Sequence, residues 1–292
     1  MGICLINYAH EGSAYKSGAL KDGRILSFED MGLQCGSVYD CIFKHGEDGV
    51  NKIRETDFSK GLKVDEVEIL SPFFSTPHDI ICVGLNYQAH KDESQSFLSN
   101  KELYSTTDAV YFSKRAYKIT GPYEDIEART DLDDKIDYEC ELAIVIGKQG
   151  RDISEENALD HVFGYTIVND LSSRTFQKRH GQWYKGKSLD GYTVMGPGVV
   201  PKSEIMDVGN LNLKTWVNGE LRQDSNTKYM MKSVSRLIYE LSQGITLVPG
   251  DIIATGTPEG VGQGFNPPKW LKKGDVIEME IDGIGKMRNR LV

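Results

Sequence analysis

Three carboxylates fall where a chain would normally place apolar side chains. In "DYECELAIVIG", Glu139 and Glu141 lie two residues apart in a stretch whose alternation reads as a β-strand, so both project to the face carrying Ala143 and Val145. The stretch "YTIVND" ends in the same manner: Thr166, Val168 and Asp170 share one face, and the acid comes last. Anions one pleat apart on a strand sit roughly 6–7 Å from each other along the chain, and partial burial sharpens their repulsion. Either a cation lies between them or the strand ends are wet. Three carboxylates completed by water suit a hard divalent cation, Mg²⁺ first, with Mn²⁺ or Ca²⁺ as alternatives. No His or Cys cluster competes for the position, which argues against zinc. The same residues also fit a solvated pair, or one matched to Lys and Arg across a sheet.

A candidate base lies upstream. "ICVGLNYQAHKDE" runs from a strand through a glycine and Asn86-Tyr87 to His90 and Glu93, three residues apart. On a helical turn these two meet, and a carboxylate that orients an imidazole makes it a better base toward water. An exposed helix with an incidental His–Glu contact is the plainer alternative. "WYKGKSLDGYTVMGP" offers Lys187, which would not ligate a cation but can stabilise an oxyanion on a bound substrate. "ATGTPEGVGQG" sets Thr255, Thr257 and four glycines behind a strand, so backbone can approach a ligand closely. It lacks the Gly-Lys-Ser/Thr ending of a nucleotide P-loop.

The elements that must position these groups are mostly strands. "DIICVG", "AVYFSK", "YECELAIVIG", "VFGYTIVND", "DIIATG" and "DVIEMEIDGIG" read as strands bounded by polar or glycine-rich joints. Asn218-Gly219 in "LKTWVNGELRQ" predicts a hairpin. Met230, Val234, Leu237, Ile238 and Leu241 recur at helical spacing, with Gly244 as the stop. The pattern predicts an α+β, strand-rich fold without regular β-α-β alternation. Two prolines in "SPFFSTPHD" place a boundary between a small N-terminal α+β domain, 1–72, and a catalytic domain, 73–292. The polar stretch from Asn86 to Ser105 reads as a lid.

The 292 residues carry a net charge of −9 and lack the basic stripe of a nucleic-acid binder. There is no apolar run long enough for a membrane span and no secretory signal pattern. The five cysteines form no CxxC pair. A reduced, cytoplasmic setting is expected.

In order along the chain, "GLNYQAHKDE", "YFSKRAYKITGP", "DYECELAIVIG", "GYTIVNDLSSRTFQ", "KGKSLDGYTVMGP", "VNGELRQ" and "LVPGDIIATGTPEGVG" resemble the fumarylacetoacetate hydrolase family, from about residue 77 to the end. The acylpyruvase and 2-hydroxyhepta-2,4-diene-1,7-dioate isomerase members are the nearest in kind. The resemblance implies a mixed β-roll fold, a homodimer, and a divalent metal, most often Mg²⁺, on Glu139, Glu141 and Asp170. It makes His90 and Glu93 a catalytic dyad and Lys187 the active-site lysine. Gln177 and Thr257 then lie near substrate oxygens, with Asn86 and Tyr87 beside them. Departures fall around the site: Thr175 where Asp is frequent, Leu189 in place of Phe, and Gly191 where Thr is usual.

The reaction expected first is hydrolysis of the C–C bond of a β-diketo acid, an acylpyruvate-like small 2-oxo acid. The cation and Lys187 would stabilise the enolate, and His90 would activate water. Isomerisation or hydration of a 2-hydroxydienoate, oxaloacetate decarboxylation and ureidoglycolate cleavage draw on the same site. A catalytically idle scaffold on the same roll is the non-enzymatic alternative.

Overall fold

The computed structural model describes residues 2–12, 14–95 and 108–292. Residues 96–105 of the expected lid lie outside this set.

The chain folds as a strand-rich α+β roll. Among the described residues the main sheet has twelve strands. Cys140–Ile146 lies at its centre, antiparallel to Val162–Asp170 on one side and to Ile252–Ala254 on the other. Ile252–Ala254 runs parallel to Ile80–Gly84, which makes the sheet mixed. Cys140–Ile146 and Val162–Asp170 are buried at every position, consistent with a sheet covered on both faces.

Each face has its own core. Leu142, Ile144 and Ile146 pack with the helix Val234–Ser242 and with Leu213, Ile277 and Met279 of a second, four-stranded antiparallel sheet. That small sheet has the order Glu220–Asn226, Asn212–Val217, Val276–Ile281, Gly285–Arg290. Ala143 and Val145 pack on the other side against Val38, Ile42 and Ile53 of the helix Val38–Glu55. The expected hairpin is present, with Asn218 and Gly219 at φ 52° and 80°, the left-handed pair that a two-residue turn needs. The helix read from Met230 instead starts after Ser233, whose hydroxyl accepts from Arg236 N–H. Met230 is held in extended backbone by a bridge to Tyr87.

The N-terminal strands join the main sheet: Cys4–Ala9 pairs antiparallel with Thr193–Pro201, Leu5 opposite Val199. Residues before 73 therefore continue the main sheet, and their core is shared with it.

Candidate active site

Pairing register explains how the carboxylates converge. Cys140 lies opposite Asn169 and Glu141 opposite Val168, and Asp170 N–H donates to Glu139 O at 2.9 Å. Glu139 and Asp170 thus face each other across adjacent strands, with Glu141 one pleat further on the same face. One oxygen from each of the three lies within 4.8 Å of the others, and all three residues are buried.

Positive charge does sit between them, and it comes from the chain. Lys187 Nζ donates to Glu139 Oε2 at 2.7 Å and to Asp170 Oδ2 at 2.8 Å. Arg174 Nη1 is 2.7 Å from Glu139 Oε1. Burial raises the Glu139 carboxyl, but Lys187 and Arg174 outweigh it and hold the group at about 2. Burial lowers the Lys187 ammonium, while Asp170 and Glu139 more than offset it, so its pKa is raised. Glu141 is different. It accepts from Gly256 N–H at 2.8 Å and has no salt bridge among the described residues. Burial, then the charges of Asp170 and Glu139, push its carboxyl well above the ordinary range.

These residues fit a divalent cation. The donor set is all oxygen, and Glu141 is a crowded anion that a cation would relieve. Lys114 Nζ lies 2.8 Å from Asp170 Oδ1, yet off the angle of a hydrogen bond, so that buried oxygen has no hydrogen-bond partner among the described residues. Lys114 spends its hydrogen bonds on the carbonyls of Leu171 and Lys187.

The dyad residues meet: His90 Nδ1 lies 3.1 Å from Glu93 Oε2 on the short helix Gln88–Ser94, and Glu93 Oε1 accepts from Gly260 N–H at 3.1 Å. His90, Glu139, Glu141, Gln177, Lys187 and Thr257 line one small cavity of about 30 Å³. Glu93 backs His90 from outside it, and Asp170 stands behind Lys187. Asn86 and Tyr87 do not line it. The Asn86 amide is committed to backbone, donating to Lys232 O and Thr255 O and accepting from Lys232 N–H. The Tyr87 hydroxyl is buried with no hydrogen-bond partner among the described residues.

Sequence reasoning did not single out Arg174, Lys114 or Trp183. Arg174 lines the cavity, and its Nη1 also donates to Gln177 Oε1 at 3.0 Å. Trp183 closes one wall edge-on to Phe112, centroids 5.0 Å apart. A Cβ on Gly84 would lie 2.4 Å from the Trp183 ring, so that close approach requires glycine. The strings "SSRTFQ" and "YFSKRAYKITGP" were the available signals for Arg174 and Lys114, through the family resemblance alone.

Fold and site together define an enzyme of the fumarylacetoacetate hydrolase class. The sequence model of the fumarylacetoacetate (FAA) hydrolase C-terminal family matches residues 79–292, and the chain belongs to that family. It is 46% identical over 228 residues to the oxaloacetate tautomerase YisK of Bacillus subtilis (strain 168), covering 78% of this chain and 74% of that protein. The structure of a fumarylacetoacetate hydrolase from Exiguobacterium antarcticum superposes with a TM-score of 0.86 at 38% identity, covering 99% of both chains. A maleylpyruvate hydrolase from Sphingobium sp. SYK-6, solved with manganese(II) and pyruvate, gives 0.78 at 26% identity, covering 99% of this chain and 98% of that one. Among the described residues no helix is long and apolar enough to cross a membrane.

Proposed function

We propose that the chain is a divalent-metal-dependent enzyme acting on a small 2-oxo acid through an enolate, and that its reaction is keto–enol tautomerisation of oxaloacetate or a similar 2-oxo dicarboxylate. The observation that carries this reading is that His90, oriented by Glu93, faces the same buried cavity as Lys187, Glu139 and Glu141. Tautomerisation needs one group to move a proton at C3 and fixed positive charge where the 2-oxygen, whose own proton exchanges with water, is transiently an anion. His90 supplies the first, with Glu93 stabilising the imidazolium. Lys187 supplies the second, kept charged by its carboxylate neighbours. Gln177 and Thr257 would bind carboxylate oxygens, and Arg174, held by Asp137 and Glu139, would add positive charge to that side of the cavity. Mg²⁺ or Mn²⁺ on Glu139, Glu141 and Asp170 would add Lewis-acid polarisation of the 2-oxo group. The similarity to an oxaloacetate tautomerase supports this choice.

Acylpyruvate C–C hydrolysis, expected first from the sequence, is the second reading. The His90–Glu93 pair favours it, because the same base could deprotonate water. The proposal also includes the homodimer and the cytoplasmic setting, with residue 72 as the end of an N-terminal segment that shares the main sheet; all five cysteines are free thiols.

The test is a panel of enol-oxaloacetate, oxaloacetate and acetylpyruvate with saturating Mg²⁺ or Mn²⁺. Enol decay without pyruvate release supports the tautomerase, and pyruvate release from acetylpyruvate supports the hydrolase. His90→Ala should lower the true activity by about 10²–10⁴-fold while metal binding persists. Wild-type turnover in His90→Ala removes His90 from either scheme.

A further inference from the structure

Gln223 stands outside the cavity, buried on the Glu220–Asn226 strand of the small sheet. Each side of its amide faces a backbone group of fixed polarity. Oε1 accepts from Cys140 N–H at 3.2 Å, and Nε2 donates to Pro258 O at 3.0 Å. Thr215 Oγ1 adds a second donor to Oε1 at 2.8 Å. The amide cannot be turned over without breaking both bonds to backbone.

This orientation gives the neighbouring contact a single direction. Nε2 lies 2.8 Å from Thr257 Oγ1, so Gln223 donates and Thr257 accepts. A threonine hydroxyl has one proton. That of Thr257 is not spent on Gln223, and it meets no acceptor among the described residues. Thr257 is buried and lines the catalytic cavity. We propose that Gln223 is a positioning residue: it makes the Thr257 hydroxyl an obligate donor into the cavity, so that this corner takes an acceptor-only group. A carboxylate or enolate oxygen of the substrate fits; a substrate hydroxyl seeking an acceptor does not. The inference rests on the 2-oxo acid reading of the cavity and adds to it a group from another sheet.

The test uses oxalate, an anionic mimic of the enolate of a 2-oxo acid, titrated calorimetrically into the protein with saturating Mn²⁺. Thr257→Val should weaken oxalate by about 10–100-fold, the loss of one hydrogen bond to a charged acceptor, while Thr257→Ser stays close to wild type. Gln223→Met should also weaken oxalate. Because it acts through Thr257, combining it with Thr257→Val should cost no more than about twofold beyond Thr257→Val alone. A purely structural role would instead give additive losses, and that result overturns the proposal. Equal oxalate affinity in Thr257→Val and Thr257→Ser overturns it as well, and this pair decides the matter if Gln223→Met does not fold. Wild-type protein that binds Mn²⁺ but no oxalate would remove the 2-oxo acid reading itself. Wild-type binding with indifferent variants removes only the role of Gln223.

Discussion

Arg174 and Asp137 form a buried pair in which Nε and Nη2 of the guanidinium both donate to Asp137 Oδ2, at 2.9 and 2.8 Å. The same carboxylate accepts from Gly262 N–H at 2.7 Å and Gln263 N–H at 3.0 Å. One side chain therefore ties the cavity arginine to the loop that follows Thr257. Removing one partner of a buried ion pair leaves the other charge uncompensated, at a cost of about 3–5 kcal/mol. Arg174 keeps Glu139 as a partner, so Asp137→Asn should lower the unfolding free energy by no more than that range, read as a lower denaturant midpoint with the slope of the transition unchanged.

Glu141 makes stability depend on pH in the metal-free protein. Its carboxyl is raised by burial, Asp170 and Glu139, so the folded state holds the proton more tightly than the unfolded state does. Stability from this group is present below its ordinary value of 4.5 and is lost as pH rises through the raised folded value. Added Mg²⁺ or Mn²⁺ should raise the melting temperature more at pH 8 than at pH 5. Glu141→Gln should flatten the pH dependence and weaken metal binding, both readable by calorimetry.

Glu93 Oε2 lies against His90 Nδ1 while Oε1 accepts from Gly260 N–H, and in the proposed mechanism this carboxylate is the group that orients the imidazole. Glu93→Gln keeps an acceptor beside the imidazole but removes the charge that steadies the imidazolium. Its kcat should fall on the order of 10-fold, less than the 10²–10⁴-fold loss expected for His90→Ala. Steady-state kinetics on both variants check the order.

Trp183 forms a wall of the cavity. Binding of oxalate with Mn²⁺ should change the intrinsic fluorescence, and the change should vanish in Trp183→Phe while remaining when Trp216 or Trp270 is replaced. A persistent signal in Trp183→Phe would place the ligand elsewhere.

The carboxylate centre was legible because strand alternation alone puts Glu139 and Glu141 on one face and Asp170 at the end of another apolar run. Turn chemistry likewise exposed the Asn218-Gly219 hairpin. The counter-charges were less so. Lys114 reaches Asp170 from the far end of the sheet, and Arg174 comes from a short helix whose position depends on Asp137. Such partners are set by register and crossover, which leave no local periodicity. Asn86 shows the reverse limit: a side chain expected beside substrate is spent joining Lys232 to Thr255, a tertiary demand invisible in "GLNY". The start of the last long helix slipped from Met230 to Val234 for a similar reason, since pairing with Tyr87 outcompetes helical spacing.

The pairing of Cys4–Ala9 with Thr193–Pro201 gives the leading segment a protective task. Thr193–Pro201 is bonded along its other side to Val162–Asp170, the strand that delivers Asp170. With residues 2–72 removed, Thr193–Pro201 would keep only its start paired, to Ile119–Thr120, and the rest would become a raw margin of unpaired amides and carbonyls, open to the same margin on another molecule. A fragment beginning at residue 73 could retain every side chain of the cavity and still be lost to self-association. The opening strand works as a selvage, keeping the woven sheet from catching on its neighbours.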